Sequence, residues 1–263
     1  MSIVILTNII YNEHIWLYGS DKMNVLVVSC HPDDVECYCA GTLIKCVKRG
    51  DRVIVCHACK GDKGHVVIPP DELTVIRENE AKKAGAMAGI EVISAGFGDL
   101  DIYDNNKASR DKIIDVIRYA NPDFIITHNP DDYMPDHSAV SRLVFDASFA
   151  ATLPNHTDYP HRFSEENGEP AKLVPIYYME PGGGVNFIPD EYVDISEEIN
   201  LKIDMLRCHE SQLKWLMDHD NVDIADSIRF SARCHGYKCG AEYAEVFKQC
   251  KAYLKGTTKR LLP

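Results

Sequence analysis

The sequence contains no run of about 18 or more apolar residues, so it offers no candidate transmembrane helix. It is short of cations: 28 Lys and Arg stand against 40 Asp and Glu, a formal net charge of −12. That deficit argues against a nucleic-acid or anionic-membrane partner, because phosphate-rich surfaces are bound by basic ones. There is no internal repeat and no low-complexity segment. No G-x-G-x-x-G follows the first strand-like run, so the glycine-rich turn that seats a dinucleotide pyrophosphate is missing. Carboxylates stand there instead and would repel one. The opening 22 residues, "MSIVILTNIIYNEHIWLYGSDK", start apolar but lack the basic leading region and cleavage site of a secretory signal. They read as an extension of unassigned role: an added strand, a partner-binding arm, or an upstream start before Met23.

What is present fits one large α/β domain, expected over 23–263, in a chain of 263 residues with 45% hydrophobic and 26% charged residues. The ten cysteines are many, but several lie inside apolar runs such as "VIVCHAC". Buried free thiols in a reducing cytoplasm are therefore expected rather than a disulfide framework. Cys56 and Cys59 form a C-x-x-C, but within an apparent strand and not at a helix start, where a thiolate would be stabilised.

The runs "NVLVVSC", "DRVIVCHAC", "EVISAGF" and "DFIITH" are short and continuously apolar, as strands buried on both faces must be. Each is followed by a stretch with helical spacing: 35–50 closing at Gly50, 71–90 ending near Gly89, a helix with Ser109 as its N-cap and Pro122 beyond its end, and 136–151. This alternation predicts a Rossmann-like, doubly wound, mostly parallel sheet in a three-layer α/β/α arrangement. After residue 150 the pattern weakens. A long polar stretch covers 152–172, strands are expected at "VPIYYME" and near "YVDI", and "PGGG" reads as a flexible turn. C-terminal helices are expected at 196–219, in a short piece after Asp223, and at "AEYAEVFKQCKAYLKG".

Two clusters carry chemistry. "HPDD" (31–34) lies just past the first strand and "HNPDDYMPDH" (128–137) just past the fourth. In a doubly wound sheet those strand ends are neighbours, and ligands bind outside them. Taken alone, "HPDD" is an ordinary turn with a helix N-cap. A second cluster at a matching strand end favours a metal site, since catalytic zinc takes three ligands from His and Asp or Glu and leaves a position for water. His31 and Asp34 can supply two ligands from one turn and His137 the third, with Asp33 beside the ion as a general base.

"VVSCHPDDVECYCAGTL" closely resembles the opening of the PIG-L/LmbE-type de-N-acetylases, usually written A-H-P-D-D-E-x-x-x-x-G-G-T-L. Further along, "IRENEAKKAGAMAGI", "GFGDLDI", "HNPDDYMPDH", "VDISEEINLKIDMLRCHESQ" and "GAEYAEVF" are similar to the family's later segments in order and spacing, from about 24 to 250. The resemblance implies His31, Asp34 and His137 as ligands of one Zn²⁺ per chain, with Fe²⁺ able to take the same ligands. It implies Asp33 as general base, Arg77 as a substrate-binding arginine, and Asp99 near a sugar-contacting acid. Arg77 also reads as a helix-surface charge, Asp99 as a turn residue, and His209 as a hydrogen-bonded structural residue or one lining the site.

Two positions depart from the family pattern. Val35-Glu36 replaces its glutamate start, which shifts that role to Glu36 or removes it. Met134 replaces a histidine that stabilises the oxyanion or protonates the leaving amine, and a thioether can do neither. His128, Tyr133 and His209 are candidates to supply the missing donor, and Asp136 to support the site. The resemblance thus implies a zinc-dependent hydrolase releasing an acyl group, expected to be acetyl, from an amino sugar or N-acetylglucosamine-type conjugate. The competing reading is a catalytically weak relative that binds metal or glycoconjugate, with Met134 recording lost chemistry. The expected partner is a small N-acetylated sugar, and the extension and long loops offer contacts for a homo-oligomer. The segments 60–70 and 152–172 are expected to form the substrate rim.

Overall fold

In the computed structural model, five apolar runs lie side by side as parallel strands because each must bury both faces. They are β1 (Asn24–Ser29), β2 (Arg52–Cys59), β3 (Glu91–Phe97), β4 (Phe124–His128) and β5 (Ile176–Met179). Two antiparallel strands, β6 (Glu191–Asp194) and β7 (Ala244–Gln249), complete a seven-stranded sheet of order β3-β2-β1-β4-β5-β7-β6. The structure describes residues 22–165 and 168–263. The 1–22 extension therefore lies, but for Lys22, outside the described residues.

Alternate strand residues feed two cores. Leu26, Val28, Ile54 and Ile125 pack under α4 (Lys107–Ala120) and α5 (Pro135–Ala150) on one face. Val25, Val27, Val53, Phe124 and Ile126 pack on the other. There they meet α1 (Asp34–Tyr38), α2 (Ala40–Arg49), α3 (Pro70–Ala88), α6 (Ile199–Leu206) and α8 (Ile224–Cys239). A further helix, α7 (Glu210–Asp220), follows α6. The three-layer α/β/α architecture is thus as expected. β1 pairs with β2 on one side and β4 on the other, and Val28 sits opposite Thr127. That register brings the two acidic turns together at the switch point, where such sheets bind ligands.

Several expected elements differ. "AEYAEVFKQCKAYLKG" is built around a strand, β7, and not a helix. Its helix-forming composition yields to the open slot between β5 and β6, where Phe247 pairs with Met179 and Glu191. The short helix after Asp223 is the 16-residue α8, capped by the Asp223 carboxylate accepting from Asp226 N. The helix over 35–50 is broken at Cys39, whose φ is −147°. Ser109 is not an N-cap: the helix starts a turn earlier, and the Asn106 side chain accepts from Ala108 N and Ser109 N. The ten cysteines are free, seven of them buried.

Among the described residues, no helix is long and apolar enough to cross a membrane. The 152–172 stretch follows α5, not a strand, and its residues 156–164 are pinned along α4. Asp115 accepts from the backbone N–H groups of Arg162, Phe163 and Ser164, and Asp111 meets His156 at 3.2 Å. That part of the stretch is thus held against α4.

Candidate active site

The turn after β1 is closed by Asp34, whose Oδ2 accepts from His31 N at 2.6 Å. Pro32 stiffens it. Asp33 occupies the N-cap position of α1 at φ 106°, a region that costs a non-glycine residue about 1–3 kcal/mol. Its side chain caps nothing. The sequence alone permitted an ordinary capping turn; here the strained residue keeps its carboxylate for other work.

His31, Asp34 and His137 converge, with one ligand atom from each lying within 4.8 Å of the others. His137 Nε2 is 3.4 Å from Asp34 Oδ1, and His31 Nδ1 is 3.8 Å from Asp34 Oδ2. Three ligands at about 2.0–2.2 Å around a tetrahedral zinc would be separated by roughly 3.4 Å, so the spacing suits an ion. The strongest sign is His137 Nε2, a buried nitrogen with no hydrogen-bond partner. Its other nitrogen, Nδ1, faces Asp132 Oδ2 at 3.1 Å. Burial would lower the His137 pKa, but Asp34 and Asp132 outweigh it and push it up to about 10. An imidazole so strongly drawn to hold a proton sits where a cation is wanted, and a metal ion would displace that proton.

Two overlapping groups offer alternatives: His128, Asp132 and His137, and Cys30, His31, Cys59 and Asp136. Both are less suited. His128 Nε2 lies 2.8 Å from the Cys30 N–H that it accepts, and its ring stacks on His137 at 3.8 Å between centroids. Burial drives the Cys30 thiol well above its ordinary pKa, away from the thiolate that binds metal.

Asp33 points into a different setting. Burial raises its pKa, while Arg77 pulls it down. Arg77 is buried and not a helix-surface charge. Its Nη2 donates to Asp33 Oδ2 at 3.0 Å and to the Pro32 carbonyl, and Nη1 donates to Gly61 O at 3.3 Å. Much of the guanidinium is thus spent on the turn itself. Asp99 likewise accepts from Gly61 N and Lys63 N, at 2.8 and 2.9 Å, and lies 4.0 Å from His31 Nε2. It organises the 60–70 loop beside the trio. Asp136, in the first turn of α5, accepts from Leu100 N at 2.8 Å and meets His31 Nε2 at 3.3 Å.

His209 is not inside a helix but at the break between α6 and α7, fully buried. Its Nε2 lies 3.2 Å from Glu36 Oε2, a charge contact without hydrogen-bond alignment. Burial would lower the His209 pKa, and Glu36 more than reverses that. Glu36 is buried at the site, one position along from the family's glutamate. Tyr133 is 63% exposed at the mouth, and Met134 is the N-cap residue of α5. Asp132 and His57 were not singled out by sequence. Asp132 stands five residues before His137, a spacing with no motif behind it, and His57 sits within a buried strand against Ser29 Oγ at 2.9 Å.

Residues 26–148 match the PIG-L family model, described as GlcNAc-PI de-N-acetylase. The chain is 27% identical over 235 residues to a diacetylchitobiose deacetylase of Thermococcus kodakarensis, covering 86% of this chain and 82% of the relative. It is also 26% identical over 206 residues to a 4-oxalmesaconate hydratase of Pseudomonas putida, covering 74% of this chain and 76% of the relative. The solved N,N'-diacetylchitobiose deacetylase of Pyrococcus horikoshii superposes with a TM-score of 0.73 at 23% identity, over 88% of this chain and 84% of that one, a likeness of fold.

Proposed function

We propose that the chain is a member of the PIG-L/LmbE-type de-N-acetylase family, whose model its residues 26–148 match, and that it is a metal-dependent hydrolase removing an N-acetyl group from an amino sugar or N-acetylglucosamine-type conjugate. The observation that carries this reading is the buried, unpartnered His137 Nε2 facing Asp34. His31, Asp34 and His137 would hold a divalent ion, zinc in the first instance, whose Lewis acidity polarises the amide carbonyl and acidifies water.

The chain's own residues do the rest. Asp33, raised in pKa by burial, is suited to accept a proton from the attacking water and return it to the leaving amine. Arg77 holds the Asp33 carboxylate in place through Oδ2. Asp132 fixes His137 through Nδ1, and Asp136 does the same for His31 through Nε2. His209, drawn toward its protonated form by Glu36, supplies positive charge near Asp33 in place of the family histidine that Met134 replaces.

The test is metal analysis of the purified protein together with acetate release from a panel of N-acetylated sugars. We expect about one divalent ion per chain and stoichiometric free amine. The hydratase among the relatives makes acetate, and not mere substrate loss, the deciding readout. Metal and sugar binding without acetate would instead favour a binding protein.

A further inference from the structure

Cys30 follows β1 and precedes His31, at the position where A-H-P-D-D has alanine, and Cys59 ends β2. None of the steps above uses either thiol. Cys59 N donates to Cys30 O at 2.8 Å, which sets the two residues side by side at adjacent strand ends. The ladder between β2 and β3 slips between His57 and Cys59, and such irregularities re-aim side chains beside functional sites. Cys59 thereby meets a sulfur 29 residues away in sequence: the two Sγ atoms lie 3.6 Å apart, and both residues are fully buried.

Two further donors adjoin the pair. His31 Nε2 lies 3.6 Å from Cys30 Sγ and 3.3 Å from Asp136 Oδ2. One ligand atom from each of the four residues lies within 4.8 Å of every other. Around a tetrahedral ion with bonds of about 2.3 Å to sulfur and about 2.0–2.1 Å to nitrogen or oxygen, two sulfurs stand roughly 3.8 Å apart. Sulfur and nitrogen stand roughly 3.6 Å apart there, and nitrogen and oxygen roughly 3.4 Å. The corresponding pairs here are at 3.6, 3.6 and 3.3 Å, so little movement is needed to close on an ion.

The donor types select the ion. Two sulfurs, an imidazole and a carboxylate make a softer set than His31, Asp34 and His137. An ion bound among them must displace two buried thiol protons. That cost is why the set suits the catalytic ion less, whereas an ion of high thiolate affinity recovers it. The two sets also share one ring. His31 Nδ1 lies 3.8 Å from Asp34 Oδ2, on the side of the trio, while Nε2 faces Cys30 and Asp136. An ion among the thiols takes the place of the Nε2 proton and enlists Asp136 as a ligand. The ring is then no longer held for the trio alone, and binding at either set weakens the other by the same factor.

We propose that Cys30, Cys59, Asp136 and Nε2 of His31 form a second metal site, selective for thiophilic ions, whose filling antagonises the ligand trio through the shared imidazole. The test titrates Cd²⁺ into the full-length, zinc-loaded protein. Thiolate-to-Cd²⁺ charge-transfer absorbance reports sulfur ligation, and metal analysis reports the zinc retained. The wild type should show a saturable rise in absorbance and lose zinc at Cd²⁺ concentrations that leave zinc in place in Cys30→Ala/Cys59→Ala. Loss of a group that merely supports a ligand costs about 10–100-fold in metal affinity, so loss of two ligating sulfurs should weaken Cd²⁺ at least about 100-fold. The exposed Cys234 and Cys239 give a background common to all variants. Asp136→Asn, with both thiols intact, should also weaken Cd²⁺ and serves if the paired alanines disturb folding. Equal Cd²⁺ affinity in the wild type and these variants, or equal zinc loss from the wild type and the double variant, would overturn the proposal. These readouts need no substrate, so they decide the second site separately from the deacetylase reading.

Discussion

Asp132 Oδ2 lies 3.1 Å from Nδ1 of His137, and this contact leaves Nε2 of the same ring turned toward Asp34. The carboxylate sets both the tautomer and the orientation of a candidate ligand.

Asp132→Ala should accordingly weaken metal binding by about 10–100-fold. Competition with a chelating indicator measures it. Unchanged affinity would show that His137 is held by its packing against His128 and needs no carboxylate.

Arg77 lowers the Asp33 pKa against the opposing effect of burial. Arg77→Met removes that pull, so the Asp33 pKa should rise further. A base with a raised pKa is lost to protonation at higher pH. The acid limb of the kcat/KM profile should therefore move to higher pH in the variant, with the metal retained. A limb that stays in place would dissociate Asp33 from that ionisation.

How much of this was legible in the sequence differs by element. The first four strands were plain because a strand buried on both faces must be continuously apolar, and their order put "HPDD" and "HNPDDYMPDH" at adjacent ends. β7 was not, because "AEYAEVFKQ" is made of good helix formers and becomes a strand only through partners about 50–70 residues away, Asp194 and Tyr177 among them. The orientation of His137 by Asp132 was hidden as well. It depends on the path of the turn between Asn129 and Pro135, not on a fixed spacing. The same holds for Glu180 and His235, 55 residues apart and brought together only by α8 packing over the sheet's end.

His57 is fully buried, and burial pushes its pKa down to about 4. A histidine in an unfolded chain titrates near ~6.5. As pH falls from there to about 4, the unfolded chain binds a proton that folded His57 refuses. Stability should therefore fall with pH through that window, by about 3 kcal/mol from this group at its lower end. Urea unfolding at pH 7 and pH 5 should show a smaller difference in His57→Gln than in the wild type. An equal difference would assign the acid sensitivity elsewhere.

The most direct test of the account measures bound metal and acetate release side by side in the wild type, Asp33→Ala and His31→Ala. On this reading Asp33 differs in role from the candidate ligands His31 and Asp34 although it stands between them in sequence. The account predicts that Asp33→Ala keeps its metal and loses hydrolysis, whereas His31→Ala loses both. Equal metal loss in the two variants, or undiminished acetate release by Asp33→Ala, would contradict it.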